Sequence, residues 1–160
     1  MQTAALALTQ INDTLKAGLN AALAAIETRD SVTLQAVDDS AFIPAQVDPD
    51  DFEDLPPAPL VFVFINATEN LGDQYGRQFS GAHDAVVRVF LTTEDERDSI
   101  ALQANLYRYV DAVLDVLLAG TWHQELLYTA RYRVLWGPVQ QDDHGLRIVA
   151  DVIFGLKQNT

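Results

Sequence analysis

The stretch DAVVRVFLTTEDERDSIALQANLYRYVDAVLDVLLAG, residues Asp84–Gly120, predicts a β-strand that leads into a long amphipathic helix. In the strand, alternate residues point to opposite sides of a sheet. One side carries Ala85, Val87, Val89 and Leu91, and the other carries Val86, Arg88, Phe90 and Thr92. The stretch therefore indicates a sheet-and-helix scaffold and contains no chemical motif of its own.

The helical part of this stretch has apolar residues at every third or fourth position, which predicts one buried stripe. The stripe consists of Leu102, Leu106, Val110, Val113, Leu114 and Leu117. We expect Thr93 to be the N-cap, with Glu96 three residues later closing a capping box. Gly120 is expected to end the helix.

Composition favours a single acidic domain spanning residues 1–160. Half of the residues are apolar, so the chain can bury a core. The absence of cysteine excludes disulfides and thiolate metal sites. The apolar run Leu60–Ile65 is far shorter than the roughly 20 residues that span a bilayer, and no Lys or Arg precedes Lys16, so we expect a soluble protein without a signal peptide or membrane contact.

A net charge of −13, from 23 acidic and 10 basic residues, argues against general binding of nucleic acid or anionic membranes. Such binding needs clustered Lys and Arg side chains.

The rest of the chain predicts one more helix and several strands. Residues 4–28 have a helical Leu/Ile stripe, and Val32–Val37 alternates like a short strand. Residues 38–59 are acidic, rich in proline and without a basic residue, which predicts a long exposed loop. Leu60–Asn66 is an apolar strand, residues 67–83 form a polar loop, and Tyr132–Val139 and Leu146–Leu156 form a hairpin.

This order, α-β-β-β-α-β-β, predicts an α+β fold. We expect a mostly antiparallel sheet of about five strands with both helices packed on one face.

No catalytic, cofactor or metal site is indicated. The three histidines, His83, His123 and His144, have no metal-ligand spacing, and HExxH, GxSxG, P-loop and GxGxxG motifs are absent. The acidic loop lacks the carboxylate spacing of a calcium loop. We therefore expect a protein that is not an enzyme and needs no cofactor.

Three groups of residues are candidate interface residues. In the loop these are Asp48, Asp50, Asp51, Glu53 and Asp54. In the hairpin, Arg131 and Arg133 alternate on one strand, and we expect Arg147 in the next strand to lie near them and Asp151 to pair with one of them. An ordinary solvent-facing surface is the alternative. The aromatic group contains Trp122, Tyr128, Tyr132 and Trp136, which either pack in the core or anchor an interface.

In this order of elements the chain resembles the tail terminator (tail completion) proteins of long-tailed bacteriophages. A Leu/Ala-rich first helix leads to the Pro-flanked strand Pro59–Phe64, a glycine-bearing loop precedes the strand Ala85–Leu91, and the helix containing Leu106–Leu114 precedes the closing hairpin. The loop at 38–59 is longer than the family pattern.

The resemblance implies a structural virion protein of the tail or neck, assembled in the host cytoplasm. Such proteins form a ring, usually a hexamer, that caps the tail tube, ends its polymerisation and provides the surface for head joining. The implied partners are further copies of the chain, the tail tube protein and a head-completion or connector protein, while DNA passes through the lumen without specific binding.

Two alternatives stay open. The first is another phage neck, head-completion or minor tail protein, because these share much of the pattern. The second is a small acidic binding module that mimics DNA, which we would expect to be a monomer whose binding weakens steeply with salt.

Overall fold

The structure is a computed structural model, and it describes residues 3–47, 55–70, 81–119 and 126–158. Its elements are helix α1 (Thr3–Asp30), a 3-10 turn (Asp39–Ala41), β1 (Phe42–Ile43), β2 (Leu60–Asn70), β3 (Gly81–Thr93), helix α2 (Ser99–Ala119), β4 (Leu126–Trp136), β5 (Gln140–Asp142) and β6 (Gly145–Gln158).

The strands form one mixed sheet in the order β1-β2-β3-β6-β4, with β5 also paired to β6. All pairs are antiparallel except the short parallel pair of β1 and β2. The expected α+β class is confirmed, with two helices and about six strands in place of the expected five.

The core lies between the sheet and the two helices. Strand residues on the helix side, including Val87, Val89 and Val152, are fully buried. From α2, the predicted stripe is buried as expected, with Leu114 only partly buried. The two helices also contact each other closely, since a Cβ atom at Gly18 would lie 3.3 Å from Cγ1 of Val116. Fully burying each large apolar side chain contributes about 1.5–3 kcal/mol, so this interface dominates stability.

The predicted strand Val32–Val37 is wrong, because this segment is irregular and does not join the sheet. Its main-chain groups bond to helix side chains instead. The Asn20 amide donates to the Val37 carbonyl at 2.9 Å and accepts from the Val37 amide at 2.8 Å, and the Tyr109 hydroxyl donates to the Gln35 carbonyl. The alternation of Val32, Leu34 and Ala36 in the sequence does not match the burial, because Leu34 and Val37 are buried and Ala36 is exposed.

The predicted loop 38–59 is also partly wrong, since the 3-10 turn and β1 lie within it. Phe42 and Ile43 pair with Val61 and Phe62. The chain therefore joins the sheet at Phe42, ten residues after Val32, where the strand was predicted to begin. Residues 48–54 of the loop lie outside the described part of the chain.

The predicted N-cap at Thr93 is wrong as well. Strand β3 continues through Thr93, which pairs with Leu146, so its backbone belongs to the sheet. A turn follows in which the Asp95 carboxylate accepts from the Arg97 amide at 3.0 Å. The first helical bond runs from the Leu102 amide to the Asp98 carbonyl at 2.8 Å, which places the helix start at Ser99. The predicted helix end at Gly120 lies outside the described residues.

The polar loop predicted at 67–83 is shorter than expected, because β2 runs to Asn70 and β3 begins at Gly81. The closing hairpin also differs from the expectation. The tight turn after Asp142 joins β5 to β6, whereas β4 pairs with β6 further along, from Trp136 opposite Ala150.

Candidate interface surfaces

The acidic loop can be described only at its flanks. Asp48, Asp50, Asp51, Glu53 and Asp54 lie outside the described residues. On the N-terminal flank, the Asp38 carboxylate accepts from the hydroxyl of Ser40 at 2.7 Å and from its amide at 2.9 Å, and these bonds lower the pKa of Asp38. A cleft of about 660 Å³ lies between residues 35–40 and Pro56, Pro57 and Pro59. The loop therefore enters and leaves the described fold beside one cleft.

The predicted pairing of Asp151 with Arg131 or Arg133 is wrong. Asp151 lies directly opposite Arg88 of β3, and the two form a bidentate ion pair with distances of 2.7 and 2.9 Å. The Arg88 guanidinium also lies 5.3 Å from the centre of the Phe64 ring. This pair lies on the sheet face opposite the helices. Arg88 was the one charged residue in an otherwise apolar strand centre, which was the signal for it in the sequence.

Arg147 does not lie near Arg131 and Arg133, contrary to expectation. Arg133 is opposite Ile153, six residues along β6 from Arg147, which corresponds to about 20 Å at the usual rise of a strand. Arg147 lies beside β5, where it donates to the Gln140 side chain at 3.2 Å. Arg131 and Arg133 are exposed, and neither forms an ion pair with any described residue.

The described aromatic residues near the end of β4 lie at the protein surface. Trp136 and Tyr132 are each about half exposed, at 47% and 48%. Trp136 packs edge-to-face against Tyr107 of α2, with ring centres 4.7 Å apart. Trp122 lies outside the described residues, and Tyr128 is described only by its place in β4. Of the two interpretations, surface exposure favours an interface role for Trp136 over core packing.

The outward side of α2 adds further exposed apolar residues that the sequence analysis missed. Ile100, Tyr107 and Leu118 are spaced by seven and eleven residues, so they lie along one line of the helix. Ile100 is 83% exposed and Leu118 is 54% exposed. The spacings of seven and eleven residues were a signal in the sequence, but the stronger pattern of the buried stripe hid it. Tyr107 of this line contacts Trp136 of β4. We call the exposed residues Ile100, Tyr107, Leu118, Tyr132 and Trp136 together the α2–β4 surface; exposed apolar residues that are grouped in this way often mark interaction sites.

Both edges of the sheet have strand backbone without a described partner. Strand β4 pairs with β6 on one side only, and no described strand covers its other side. Strand β2 meets β1 only at Val61 and Phe62, so residues 63–70 have no described neighbour on that side. Unpaired strand edges are templates for pairing with another chain.

A group of charged side chains connects the end of α1 to α2. Asp30 at the end of α1 accepts from Arg29 at 2.7 Å and from Arg108 of α2 at 2.9 Å. These hydrogen bonds lower the pKa of Asp30 to about 2. Asp111, on the solvated side of α2, is about half exposed, and its carboxylate lies 3.6 Å from the Arg29 guanidinium.

One buried polar residue stands apart from these surfaces. His83 is fully buried; its Nδ1 lies 3.0 Å from the Thr68 hydroxyl, and its Nε2 has no hydrogen-bond partner among the described residues. Burial lowers the pKa of His83. Among the described residues there is no cluster of three or more His, Asp or Glu side chains that could hold a metal ion. None of the described helices is long and apolar enough to cross a membrane.

Comparison with known proteins gives no relative from which a function could be transferred. No protein-family model matches the chain, and no curated protein is significantly similar to it in sequence.

Proposed function

We propose that the protein is a tail terminator of a long-tailed bacteriophage, a virion protein of the tail or neck. In this role several copies, six by analogy with the family, form a ring on the last ring of the tail tube. The ring ends tube polymerisation and offers the surface to which the head-completion or connector protein binds. The order of elements, with one helix before the sheet and one between β3 and β4, supports the proposal because the resemblance depends on this order.

The observation that carries the proposal is that one domain has two sheet edges with no neighbour among the described strands. A chain with open edges on both sides of its sheet can bind a second copy through each of them. Repetition of one such contact gives a closed ring when the rotation closes, and a closed ring leaves no edge open. The exposed aromatic residues Tyr107, Tyr132 and Trp136 add the residue types that are enriched at interface hot spots.

The charge of the protein also supports this role. Six copies carry a formal charge of 6 × −13 = −78. An acidic ring repels the phosphate backbone, so DNA can pass through its lumen without binding to the wall. A DNA-mimicking module would use the same charge differently, as a docking surface for a basic partner.

Within this proposal the acidic loop faces the lumen or the tail tube. Its flanks enclose the cleft beside Pro56 and Pro57, so the loop leaves the domain at one place on the surface. Five acidic residues within seven positions, Asp48–Asp54, would concentrate charge there. A variant in which these five residues are replaced by Asn and Gln is expected to fold normally but to lose tail-length control or head joining. Normal phage tails with this variant would refute the role of the loop.

The function is tested by adding the purified protein to polymerising tail tube protein encoded by the same phage genome. We expect electron microscopy to show shorter tubes with extra density at one end. In the same assay, Trp136→Ser protein should cap the tubes less well, because the substitution weakens the α2–β4 surface. Tubes of unchanged length, without a cap at either end, would contradict the proposed function.

A further inference from the structure

We propose that copies of this chain associate by pairing the free edge of β4 of one copy with the free edge of β2 of the next, so that one sheet continues from copy to copy. This proposal rests on the proposed ring and names the surface that builds it. The contact is between two different edges, so each copy uses both of its edges and the assembly repeats head to tail.

The two free edges lie at the same level of the sheet. Across the strands, Val134, Val152, Val87 and Val63 form one row. Six rows further, Leu126 and Asn70 lie at the level where β3 begins, at Gly81. The free part of β4, residues 126–134, and the free part of β2, residues 63–70, therefore cover the same rows. Copies placed side by side without a shift along the strands bring these segments into register.

The strand directions also fit. Strand β2 is antiparallel to β3, β3 to β6 and β6 to β4, so β4 runs opposite to β2. When copies repeat in the same orientation, β4 of one copy therefore meets β2 of the next in an antiparallel pair. Antiparallel ladders are the slightly more stable kind of strand pairing.

Charge complementarity identifies the partner of β4 as a second copy. Strand β4 carries the exposed residues Arg131 and Arg133 and no acidic residue, whereas the chain as a whole is strongly acidic. Near the free edge of β2, Glu69 and Asp84 are exposed and, like the two arginines, form no ion pair with a described residue. The basic edge therefore meets an acidic edge.

These charges also lie on one face of the continued sheet. Asp84 precedes Val86 by two residues, and Glu69 is opposite Ala82, so both are on the face that carries Val86. Arg133 is opposite Ile153, which pairs with Val86, so it lies on that face too. This is the face opposite the helices.

A symmetric contact of β4 with β4 fits less well. It would place the arginines of both copies against each other, and like charges on adjacent strands destabilise pairing. It would also leave β2 uncovered.

The two edges have register irregularities at the same level, between Ile65 and Ala67 and between Tyr128 and Tyr132. Bulges discourage pairing with an arbitrary regular strand, so they favour a partner that deviates at the same rows.

Cysteine cross-linking tests this pairing directly, because the chain has no cysteine of its own. Ala67 is exposed and lies at the level of the β4 segment that contains Arg131. Directly opposed residues of antiparallel strands have Cα atoms about 4.5–5.5 Å apart, within the range of a disulfide. We expect the double variant Ala67→Cys/Arg131→Cys to form cross-linked chains and closed rings under mild oxidation, and an equal mixture of the two single variants to form dimers only.

The controls separate the alternatives. Each single variant alone should give no cross-link, and neither should Ala67→Cys mixed with Gln103→Cys, whose exposed site lies on α2. Cross-linking of Arg131→Cys with itself would overturn the proposal in favour of a symmetric contact. If native mass spectrometry detects a ring but the double variant forms no cross-link, the edge pairing is overturned and the proposed function stays intact. A monomer under all conditions, including with tail tube protein, would overturn both.

A charge exchange gives an independent readout without cysteine. Arg131→Glu should weaken self-association at least about tenfold, because it places like charges on the two edges. Adding Glu69→Arg to the same chain should restore most of the lost affinity. Equal weakening by the single and double variants would contradict the assigned edges. Circular dichroism of both variants confirms that they fold.

Discussion

Arg88 and Asp151 face each other across β3 and β6 and form a two-pronged ion pair on the sheet face opposite the helices. Each side chain is about three-quarters buried, so the pair is shielded from solvent more than a surface salt bridge. The guanidinium also lies over the Phe64 ring, which ties the pair to β2. One ion pair therefore connects the three central strands.

Removing one partner of this pair should destabilise the fold. We expect Asp151→Asn to lower the free energy of unfolding by about 1–3 kcal/mol, because it removes the carboxylate paired with the largely buried Arg88 guanidinium. Urea denaturation measures this. The double variant Arg88→Met/Asp151→Leu should lose less free energy of unfolding than Arg88→Met and Asp151→Leu lose when their separate losses are added. Strictly additive losses would contradict direct coupling of the two side chains.

Asn20 should be essential for the irregular segment that precedes β1. Asn20→Ala removes the only described partners of the Val37 amide and carbonyl, so we expect a loss of about 2 kcal/mol from two hydrogen bonds. Asn20→Asp keeps the acceptor and loses the donor, and should cost less at neutral pH. Thr28→Ala, at an exposed hydrogen bond within α1, is the matched control and should cost far less. Equal stability of all three variants would contradict the assignment.

Stability should fall as the pH is lowered through the range of histidine titration. Burial lowers the pKa of His83 in the folded protein, so the unfolded chain binds the proton more readily. The stabilisation is complete above the unfolded pKa of about 6.5 and is lost as the pH falls below it. Thermal melting between pH 8 and 5 measures this slope. In His83→Gln protein the slope should be reduced, and an unchanged slope would exclude His83 as its cause.

Protonation of Asp30 should cause a second loss of stability, which occurs at lower pH and is separate from that caused by His83. Hydrogen bonds from Arg29 and Arg108 hold the pKa of Asp30 at about 2, below its usual value of 3.8. The stabilisation from Asp30 is present above pH 3.8 and is lost between that pH and about 2. Asp30→Asn should remove this acid-induced loss and leave the one near pH 6 unchanged.

Gly145 should tolerate no side chain. Its φ angle is +125°, and a Cβ atom there would overlap the carbonyl oxygen of Thr93. We expect Gly145→Ala to cost at least about 2 kcal/mol in the free energy of unfolding, from backbone strain and displacement of β3. Asp143→Ala, two residues earlier on the exposed turn, is the control and should be nearly neutral. A Gly145→Ala protein of normal stability would show that the turn can take another form.

Periodicity was enough to predict the two helices and the central strands. The stripes of α1 and α2 and the alternation in β3 and β6 persist over many residues, so a local pattern determines them. The strand predicted at Val32–Val37 was wrong because Val32, Leu34 and Ala36 alternate in the sequence, whereas the structure buries Leu34 and Val37, three residues apart. The backbone of this segment bonds instead to the side chains of Asn20 and Tyr109, which are distant in sequence and so not visible in a local pattern.

The candidate surfaces were less predictable, since they depend on which strands become neighbours. Asp151 lies beside Arg88 because β6 lies between β3 and β4 in the sheet. The hairpin predicted from the sequence placed Asp151 beside the preceding strand instead, near Arg131 and Arg133. The same arrangement separates Arg147 from Arg133 and makes β4 an edge. Residue type alone identified Arg131, Arg133 and Trp136 as interface candidates. The exposure of Ile100, Tyr107 and Leu118 was recognised only from the way in which α2 packs on the sheet.

Native mass spectrometry of the purified protein, across salt concentrations and with and without tail tube protein, tests the central claim most directly. A ring-forming tail terminator predicts a species of about 106 kDa, from 6 × 17.6 kDa, either alone or once tube protein is present. A strict monomer that never associates with itself or with tube protein would contradict the account and would favour a small acidic binding module.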